Sequence, residues 1–522
     1  MGTYILRRLI LMIPTLIGIT LLVFLLIALS PGGIGAALSA AGGQMDTSSR
    51  AQQQAYLEDR YGLDSPVLVQ YARWLGRVSP VKFGQRDQVT PQGEIERPPK
   101  PLQPPVNWHW VADELPTADP VPPVVWPAAS ELSIDPSLTP AEALAQHKNR
   151  AYRLANSEYI RERGRYVARR MEYEDALRDY AREMEIPGAV TRDRKLNKRA
   201  IKGLEPNRDA ASWPRVVETG RAALAAYDAA IDARERLRAV FDAKPYREAG
   251  VAIIPGYLSV AAPDLGRSFS KSQPVSRLIA ERLPVTLLLN VFSIPIIYLI
   301  AIPGGMLAAV HRGRAFDVIS GMIFVALWSI PVVWAGVLLI GFVANRQYLG
   351  WFPVNGLHDA NADGFLFLPS WDEAGNFHRG YLLDTLWHMC LPVVCLVYTG
   401  LAVLGKQTRA AMLDNLNADY VRTAKAKGVA SRDIILHHVF RNSLLPLITI
   451  FATIFPAMLA GSVVIEKIFS IPGMGSLIIE SIYLRDREVI LANVLMVGAV
   501  NILALLLADI LYAAADPRIT YD

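Results

Sequence analysis

The sequence is poor in cysteine. Only Cys390 and Cys395 occur among its 522 residues, and both lie in the same apolar run. Two thiols confined to one run exclude a disulfide framework and do not have the spacing of a zinc site. We therefore interpret both residues as small apolar side chains within a packed helix.

The sequence also lacks a catalytic motif. Neither H-E-x-x-H nor G-x-S-x-G occurs, and His109 and His147 have no metal-ligating neighbours. Residues 400–407, GLAVLGKQ, nearly match the phosphate-binding pattern G-x-x-x-x-G-K-[ST]. However, Gln407 replaces the hydroxyl residue that would reach magnesium, and the segment ends an apolar helix. The sequence predicts no enzyme, metal or cofactor site, and any ATP chemistry would lie on another chain.

Charged residues are scarce in the long apolar runs. A membrane-spanning helix needs about 20 apolar residues, and six runs qualify. They are 9–29, 285–310, 318–343, 386–404, 446–464 and 489–511. Their ionisable residues are His388 and Asp509. Because ion-coupled carriers depend on intramembrane ionisable groups, this scarcity disfavours such a carrier, which remains an alternative.

The runs predict an all-α membrane protein with about six transmembrane helices. The first run follows Arg7 and Arg8 but is longer than the core of a signal peptide, so we expect it to be retained. Basic residues in short loops place both termini, 311–314 and 406–441 on the cytoplasmic side. Prolines within or beside the runs predict kinks: Pro284, Pro295, Pro303, Pro331 and Pro392.

The middle of the chain, 82–262, has no long apolar run and is predicted to be an external insert. It separates an N-terminal segment, 1–81, from the remaining spans, 263–522. Residues 87–140 are rich in proline, which predicts an extended linker. The functional alternatives for the insert are a purely structural helical seam and a docking element for an external partner.

Two helices are predicted within the insert. The first covers 140–186, and the second covers about 214–243. The first has a tyrosine every seventh residue, which places one aromatic stripe along a helix: Tyr152, Tyr159, Tyr166, Tyr173 and Tyr180, with Ile160, Val167 and Leu177 beside it. The second carries Val217, Leu224 and Ile231 at the same spacing, followed by Phe241. We expect an antiparallel helical hairpin that packs these stripes together.

A basic segment, 419–446, lies between the fourth and fifth runs. It reads DYVRTAKAKGVASRDIILHHVFRNSLLP, and its helix-forming residues are interrupted at Gly428. Such a loop is too long for a simple turn, so it predicts a docking surface on the cytoplasmic side. Contact with anionic lipid is the alternative.

This segment resembles the cytoplasmic "EAA" loop of permeases from ATP-binding-cassette importers, in the dipeptide/oligopeptide/nickel branch. Further similar stretches cover most of the chain outside 82–262. They are residues 4–8, 30–33, 61–64, 264–269, 281–284 and 516–518, with the external motif Glu466, Phe469, Pro472, Gly473 and Gly475. Arg422-Thr423-Ala424 stands where the general pattern has Glu-Ala-Ala, a departure typical of the peptide branch.

The resemblance implies a type I importer fold and a bacterial inner-membrane permease that moves short peptides or similar solutes. Its implied partners are a second permease, two ATPase subunits and an external solute-binding protein. A membrane-anchored interaction protein acting through the insert is a further alternative. The implied ATPase-coupling residues are Asp419, Tyr420, Val421, Arg422, Thr423, Ala424, Lys425, Ala426, Gly428, Arg441, Asn442 and Pro446. Of these, Tyr420 and Val421 would give apolar contacts, and Arg422 and Lys425, with Lys427, would give charge.

Overall fold

The computed structural model describes residues 2–29, 55, 58, 62, 65–128, 139–190, 196–268, 270–271, 273–371, 377–459 and 462–515. The chain forms two compact units: Met1–Ile34 together with Leu265–Asp522, and Gly35–Asp264. We call them the membrane unit and the hairpin unit. The hairpin unit begins before residue 82, so it includes residues that the sequence places in the N-terminal segment. Residues 30–33, 61, 63, 64, 269 and 516–518 of the family-like stretches lie outside the described residues.

The membrane unit is built from long apolar helices. Among the described residues, five helices are long and apolar enough to cross a membrane: Tyr4–Leu29, Val275–Val310, Gly380–Leu416, Ser431–Ala452 and Arg487–Ala513. A bent pair, Ala315–Ser329 with Val332–Ala344, brings the number to six if it counts as one span. The prediction of about six spans is confirmed.

Four helices in this unit extend beyond the apolar runs that predict them. The helices are Gly2–Leu29, Val275–Val310, Ala315–Ser329, Val332–Leu338, Gly380–Leu416, Asp419–Ala426, Ser431–Asp433, Arg441–Leu459, Val463–Ile468, Met474–Tyr483 and Arg487–Ala515. Leu339–Ala344 and Ile434–Phe440 are π-helical, and Ala362–Gly364 is a 3₁₀ turn. Ser370–Trp371 pairs with Phe377–His378 as antiparallel strands. Residues 446–459 of the fifth predicted run therefore belong to a longer helical segment that starts at Ser431.

Only one of the five prolines expected to kink a helix interrupts one. Pro284, Pro295 and Pro303 lie inside Val275–Val310, and Pro392 lies inside Gly380–Leu416. At Pro331 the bent pair turns by 89°, and Ile330 before it is extended, as a residue preceding proline prefers. The Tyr398 hydroxyl donates a hydrogen bond of 2.9 Å to the Ile330 carbonyl.

Glycines allow the helices Val275–Val310 and Gly380–Leu416 to pack closely. A Cβ atom at Gly305 would lie 2.6 Å from the Gly405 carbonyl oxygen, and one at Gly400 would lie 2.5 Å from Ile297. A Cβ atom at Gly405 would meet the Phe324 ring at 2.5 Å. The glycines that resemble a phosphate-binding loop therefore serve helix packing.

The hairpin unit contains two long helices, Pro140–Glu183 and Trp213–Asp242. Shorter elements are the helices Val67–Val78 and Lys198–Ile201, and the 3₁₀ turn Trp108–Trp110. Two small antiparallel sheets complete it. One orders Val81–Phe83, Leu258–Val260 and Val251–Ile254, and the other orders Ile95–Glu96, Gln88–Val89 and Arg247–Glu248.

The long helices run antiparallel. Glu183 at the end of the first accepts hydrogen bonds from the backbone of Ala211 and Ser212 before the second, while Tyr246 after the second donates to Asn149 near the start of the first. All five tyrosines of the stripe are buried, as predicted. The position expected for Ile160 beside this stripe is wrong, because its side chain is exposed. In the second helix Val217 is half-buried and its neighbour Val216 is buried.

The described part of the proline-rich segment, residues 87–128, is not a free linker. The Tyr166 hydroxyl donates to the Gln103 carbonyl at 2.5 Å, and Arg234 donates to the Lys100 carbonyl at 2.6 Å. Leu102 and Trp110 are buried in the two cores of the hairpin. Residues 98–111 therefore form a strap across both helices, because Tyr166 and Arg234 donate to backbone carbonyls of this stretch.

Buried ion pairs attach Glu58, which precedes the strap in sequence, to the first long helix. Glu58 faces Arg163 at 3.0 Å and Arg170 at 2.6 Å, and all three side chains are buried. Both guanidinium groups also lie 5.6 Å from the centre of the Tyr166 ring. Arg170 has a second carboxylate, that of Glu174, at 3.5 Å.

We expect Glu58→Gln to destabilise this region by about 3 kcal/mol, because two buried cations lose their shared counter-charge. Hydrogen–deuterium exchange of the full-length protein should become faster around Arg163 and Arg170. The matched control is Glu172→Gln, which removes an exposed pair with Arg169 at 2.8 Å and should leave exchange unchanged. Equal exchange in both variants would contradict the prediction.

Candidate coupling segment and external motif

The short helix Asp419–Ala426 has one face against its own chain. Val421 is fully buried, and Ala424 is partly buried beside it. They pack in a cluster with Ala309, Met412, Ile434 and Val439. These residues come from the ends of Val275–Val310 and Gly380–Leu416 and from the helical segment that starts at Ser431. Movement of the short helix would therefore be transmitted to three longer elements.

This burial corrects the role expected for Val421. Its side chain packs inward and offers no surface to a partner. Three helix ends converge beneath it, and nothing in the local sequence shows that convergence. The side chains available for contact with a partner are therefore the exposed ones. They are Asp419, Tyr420, Arg422, Thr423, Lys425, Ala426 and Lys427.

The exposed face carries more positive than negative charge. Arg422 lies 3.6 Å from Asp419, but both side chains are largely exposed, so this ion pair is weak. Arg422, Lys425 and Lys427 point into solvent within two turns of helix. Together with the Tyr420 ring, they offer a cationic surface with one aromatic group, a combination suited to a groove of opposite charge.

The helix ends at Gly428 in the conformation expected from the sequence. Gly428 has φ +75°, a region that other residues enter at a cost. Its backbone N–H donates to the Lys425 carbonyl at 3.0 Å, and that of Val429 donates to the Ala424 carbonyl at 3.2 Å. These two bonds form a Schellman motif, with Val429 and Ala424 supplying its apolar contact.

A chain of hydrogen bonds links Tyr420 to the longer helices. Its hydroxyl donates to Asn415 Oδ1 at 2.9 Å, and Asn415 Nδ2 donates to Ser443 Oγ at 3.1 Å. Ser443 is fully buried and lies 3.1 Å from the Ala411 carbonyl. Sequence reasoning missed Asn415 and Ser443 as contacts, although Ser443 lies within the family-like run. A serine directly before two leucines, near the start of an apolar run, was the available signal.

The remaining predicted coupling residues lie elsewhere. Arg441, Asn442 and Pro446 are exposed on the helix Arg441–Leu459. They belong to a continuous helical segment rather than to a loop. Eleven of the twelve predicted residues therefore lie on two helices, and Gly428 follows the first of them. The Val421 cluster joins the first helix to residues 434–440, which lead into the second.

The external motif is centred on the buried carboxylate of Glu466. It accepts a hydrogen bond from the Thr286 hydroxyl at 3.0 Å and another from the backbone N–H of Ser476 at 2.8 Å. Thr286 in turn accepts from the Met474 backbone N–H at 2.8 Å. Thr286 was not predicted, since a lone threonine in an apolar helix gives no sequence signal.

The two glycines of the motif leave room for this carboxylate. A Cβ atom at Gly473 would lie 2.5 Å from the Glu466 carboxyl carbon, and one at Gly475 would lie 2.7 Å from the Val463 nitrogen. Phe469 is buried, and its carbonyl accepts from the Gly356 N–H at 2.9 Å. Pro472 is exposed at the turn. The motif is thus a folded cap over the helix that carries Thr286.

The two sites lie at opposite ends of the same helix. Thr286 and Ala309 are 23 residues apart on Val275–Val310, which corresponds to roughly 35 Å along a helix axis. This distance matches the thickness of a bilayer core of about 30 Å. Within the described residues, no group of three or more His, Cys, Asp or Glu could hold a metal ion.

Comparisons with known proteins show the family to which the chain is similar. Residues 301–521 match the model of the family "Binding-protein-dependent transport system inner membrane component". The chain is 40% identical over 260 residues to the oligopeptide transport system permease protein AppB of Bacillus subtilis (strain 168), covering 49% of this chain and 76% of that protein. The chain belongs to this family.

The permease has a second relative in the same branch. It is 37% identical over 268 residues to the dipeptide transport system permease protein DppB of Escherichia coli (strain K12), covering 49% of this chain and 77% of that protein. A solved structure of the inward-facing MetNI methionine ABC transporter matches with 16% identity and a TM-score of 0.34. It covers 46% of this chain and 97% of the other.

These relatives identify an ABC importer permease of the dipeptide/oligopeptide branch, as the motifs predict. The permease is a multi-pass membrane transport subunit and not an enzyme, with ATP hydrolysis on partner subunits. The comparisons support this function over an ion-coupled carrier or an interaction protein.

We expect Gly473→Ala to destabilise the membrane unit by about 1–3 kcal/mol, because the new methyl group displaces Glu466 from its buried hydrogen bonds. The measurement is the melting temperature of the detergent-solubilised permease. Gly321→Ala is the control, since a Cβ atom there meets nothing within 4 Å and alanine suits a helix. A melting temperature unchanged in Gly473→Ala would refute the close contact.

Proposed function

We propose that the helix Asp419–Ala426 is the coupling helix through which an ATPase subunit drives the permease. The observation that carries this proposal is that the helix has one buried apolar face and one exposed cationic face. Val421 joins it to the ends of the longer helices, while its cationic face is exposed to solvent. ATP-dependent closure of the partner would move this face, and the buried cluster would pass the movement into the membrane.

The proposed direction of transport is inward, with both termini and the coupling helix in the cytoplasm and the hairpin unit outside. This orientation follows from the basic residues of the short loops. The Glu466 cap then lies at the external end of the helices. The proposed assembly contains a second permease, two ATPase subunits and an external solute-binding protein, of the kinds that the family implies.

The proposed substrates are short peptides. The support is similarity to AppB and DppB, whose names specify oligopeptide and dipeptide transport. Uptake of a labelled tripeptide into cells that express the transporter tests this assignment, with unlabelled peptides, an opine and nickel as competitors. Competition by peptides alone supports the proposal, and competition by nickel or the opine alone contradicts it.

We expect the double variant Arg422→Glu with Lys425→Glu to weaken ATPase binding about tenfold or more, because it reverses the charge of the exposed face. Co-purification of the ATPase subunit and ATP-dependent uptake are the measurements. Binding of the native permease should also weaken as salt rises. Arg346→Glu is the control, since this exposed arginine is predicted to lie on the other side of the membrane.

The double variant leaves Val421 and its cluster intact, so a folding defect is not expected. If co-purification and uptake are unchanged, the proposal that Asp419–Ala426 couples the permease to the ATPase is wrong. Loss of both in Arg346→Glu as well would show that the effect is not specific to the coupling helix.

The strands at the base of the hairpin unit allow its removal. Phe83 and Leu258 are paired in register, and Gly84 N–H donates to the Tyr257 carbonyl at 3.1 Å. A two-residue Asn-Gly turn can therefore replace 84–257. We expect the shortened permease to reach the membrane and to co-purify with the ATPase, because the hairpin has its own core.

If the shortened permease fails to bind the ATPase, the expectation that the membrane unit folds and assembles without the hairpin is wrong. Uptake by the same variant tests the proposal that the hairpin docks an external partner. Loss of uptake with ATPase binding retained supports docking, whereas unchanged uptake leaves the hairpin outside the transport pathway.

A further inference from the structure

A short stretch before the helix Gly380–Leu416 exposes several large apolar side chains. Residues 365–371 read FLFLPSW and carry no charge. The exposed fractions are 69% for Leu366, 65% for Phe367, 60% for Leu368 and 71% for Trp371. Large apolar surfaces of this kind mark a contact with a partner or a membrane.

The stretch is fixed to the first turn of that helix. The backbone N–H groups of Tyr381 and Leu382 donate to the carbonyls of Leu366 and Phe367, at 2.8 and 3.1 Å. Gly380 has φ +67°, and a Cβ atom there would lie 2.5 Å from the Leu368 carbonyl oxygen. The stretch therefore lies at the same depth as the end of a membrane-spanning helix.

The other side of the same loop is packed. The Phe352 and Trp387 rings are in tilted contact with their centres 4.5 Å apart, and the Asp359 N–H donates to Asp384 at 2.7 Å. Arg379 lies over the Trp387 ring at 4.9 Å. The loop is thus a folded structure, with aromatic and cationic side chains at the helix end, where membrane proteins place interface anchors.

We propose that residues 365–371 form an apolar shelf that lies in the lipid interface. Three observations favour lipid over a protein partner. The shelf continues the apolar surface of a membrane-spanning helix, because Leu382 and Leu383 next to it are also exposed. Its sequence has no charge to specify a protein partner. The carbonyls of Leu366 and Phe367 are hydrogen-bonded within the chain, as a low-dielectric environment requires.

The shelf has a consequence for the membrane unit. Its aromatic and leucine side chains would hold the start of Gly380–Leu416 at a fixed depth, as interfacial anchors do. This inference goes beyond the proposed transport function, since it concerns lipid contact and holds for any cargo.

Spin labelling in vesicles tests the shelf. Leu366→Cys and Leu368→Cys are introduced separately after Cys390→Ala and Cys395→Ala, and the full transporter is reconstituted in phosphatidylethanolamine with phosphatidylglycerol. The label's collision rate with oxygen, which concentrates in lipid, is compared with that of a water-soluble nickel chelate. Leu154→Cys is the control, because this leucine is 62% exposed in the hairpin unit.

We expect the oxygen-to-nickel ratio to be at least threefold higher at both shelf positions than at residue 154. A ratio equal to that of the control would place the shelf in water and overturn the proposal. Low collision with both reagents would show that protein covers it, which also overturns the proposal. Uptake assays on the same variants are independent, so a failed coupling assignment leaves this result interpretable.

Discussion

The close approach of Val275–Val310 and Gly380–Leu416 is the constraint on which both candidate sites depend. Glycine at 305, 400 and 405 lets backbone of one helix meet backbone or side chains of its neighbours. Interfaces with small residues are a common means of joining helices in lipid, where apolar burial gives little driving force. Because the Val421 cluster and the Glu466 cap lie at opposite ends of this pair, a displacement at one end is shared with the other.

The two sites use different physical means of attachment. The helix Asp419–Ala426 is held by apolar packing and by a hydrogen-bond chain through Asn415, an arrangement that tolerates small shifts. The Glu466 cap is held by a buried carboxylate with several donors and by glycines that leave no spare volume. One end of the helix pair is thus suited to movement, and the other to a fixed geometry.

Much of this architecture could be predicted from the sequence, since it depends on local patterns. Apolar runs locate the spans, the seven-residue tyrosine spacing defines the hairpin core, and Gly428 marks the end of the coupling helix. Burial of Val421, the bond between Asn415 and Ser443, and the strap at 98–111 could not be predicted, because each depends on which elements meet in space. Prolines were ambiguous for the same reason: four remain within continuous helices, and only Pro331 interrupts one.

The break at Pro331 has a mechanical consequence. A helix that turns by 89° within a membrane leaves carbonyl groups without partners from their own helix, and each uncompensated polar group costs several kcal/mol in hydrocarbon. The Tyr398 hydroxyl supplies one such partner to Ile330. If the bent span moves away from the helix Gly380–Leu416, this hydrogen bond breaks and the Ile330 carbonyl is exposed to lipid without a partner. The hydrogen bond between Tyr398 and Ile330 therefore keeps the bend of this span attached to Gly380–Leu416, the helix that precedes Asp419–Ala426.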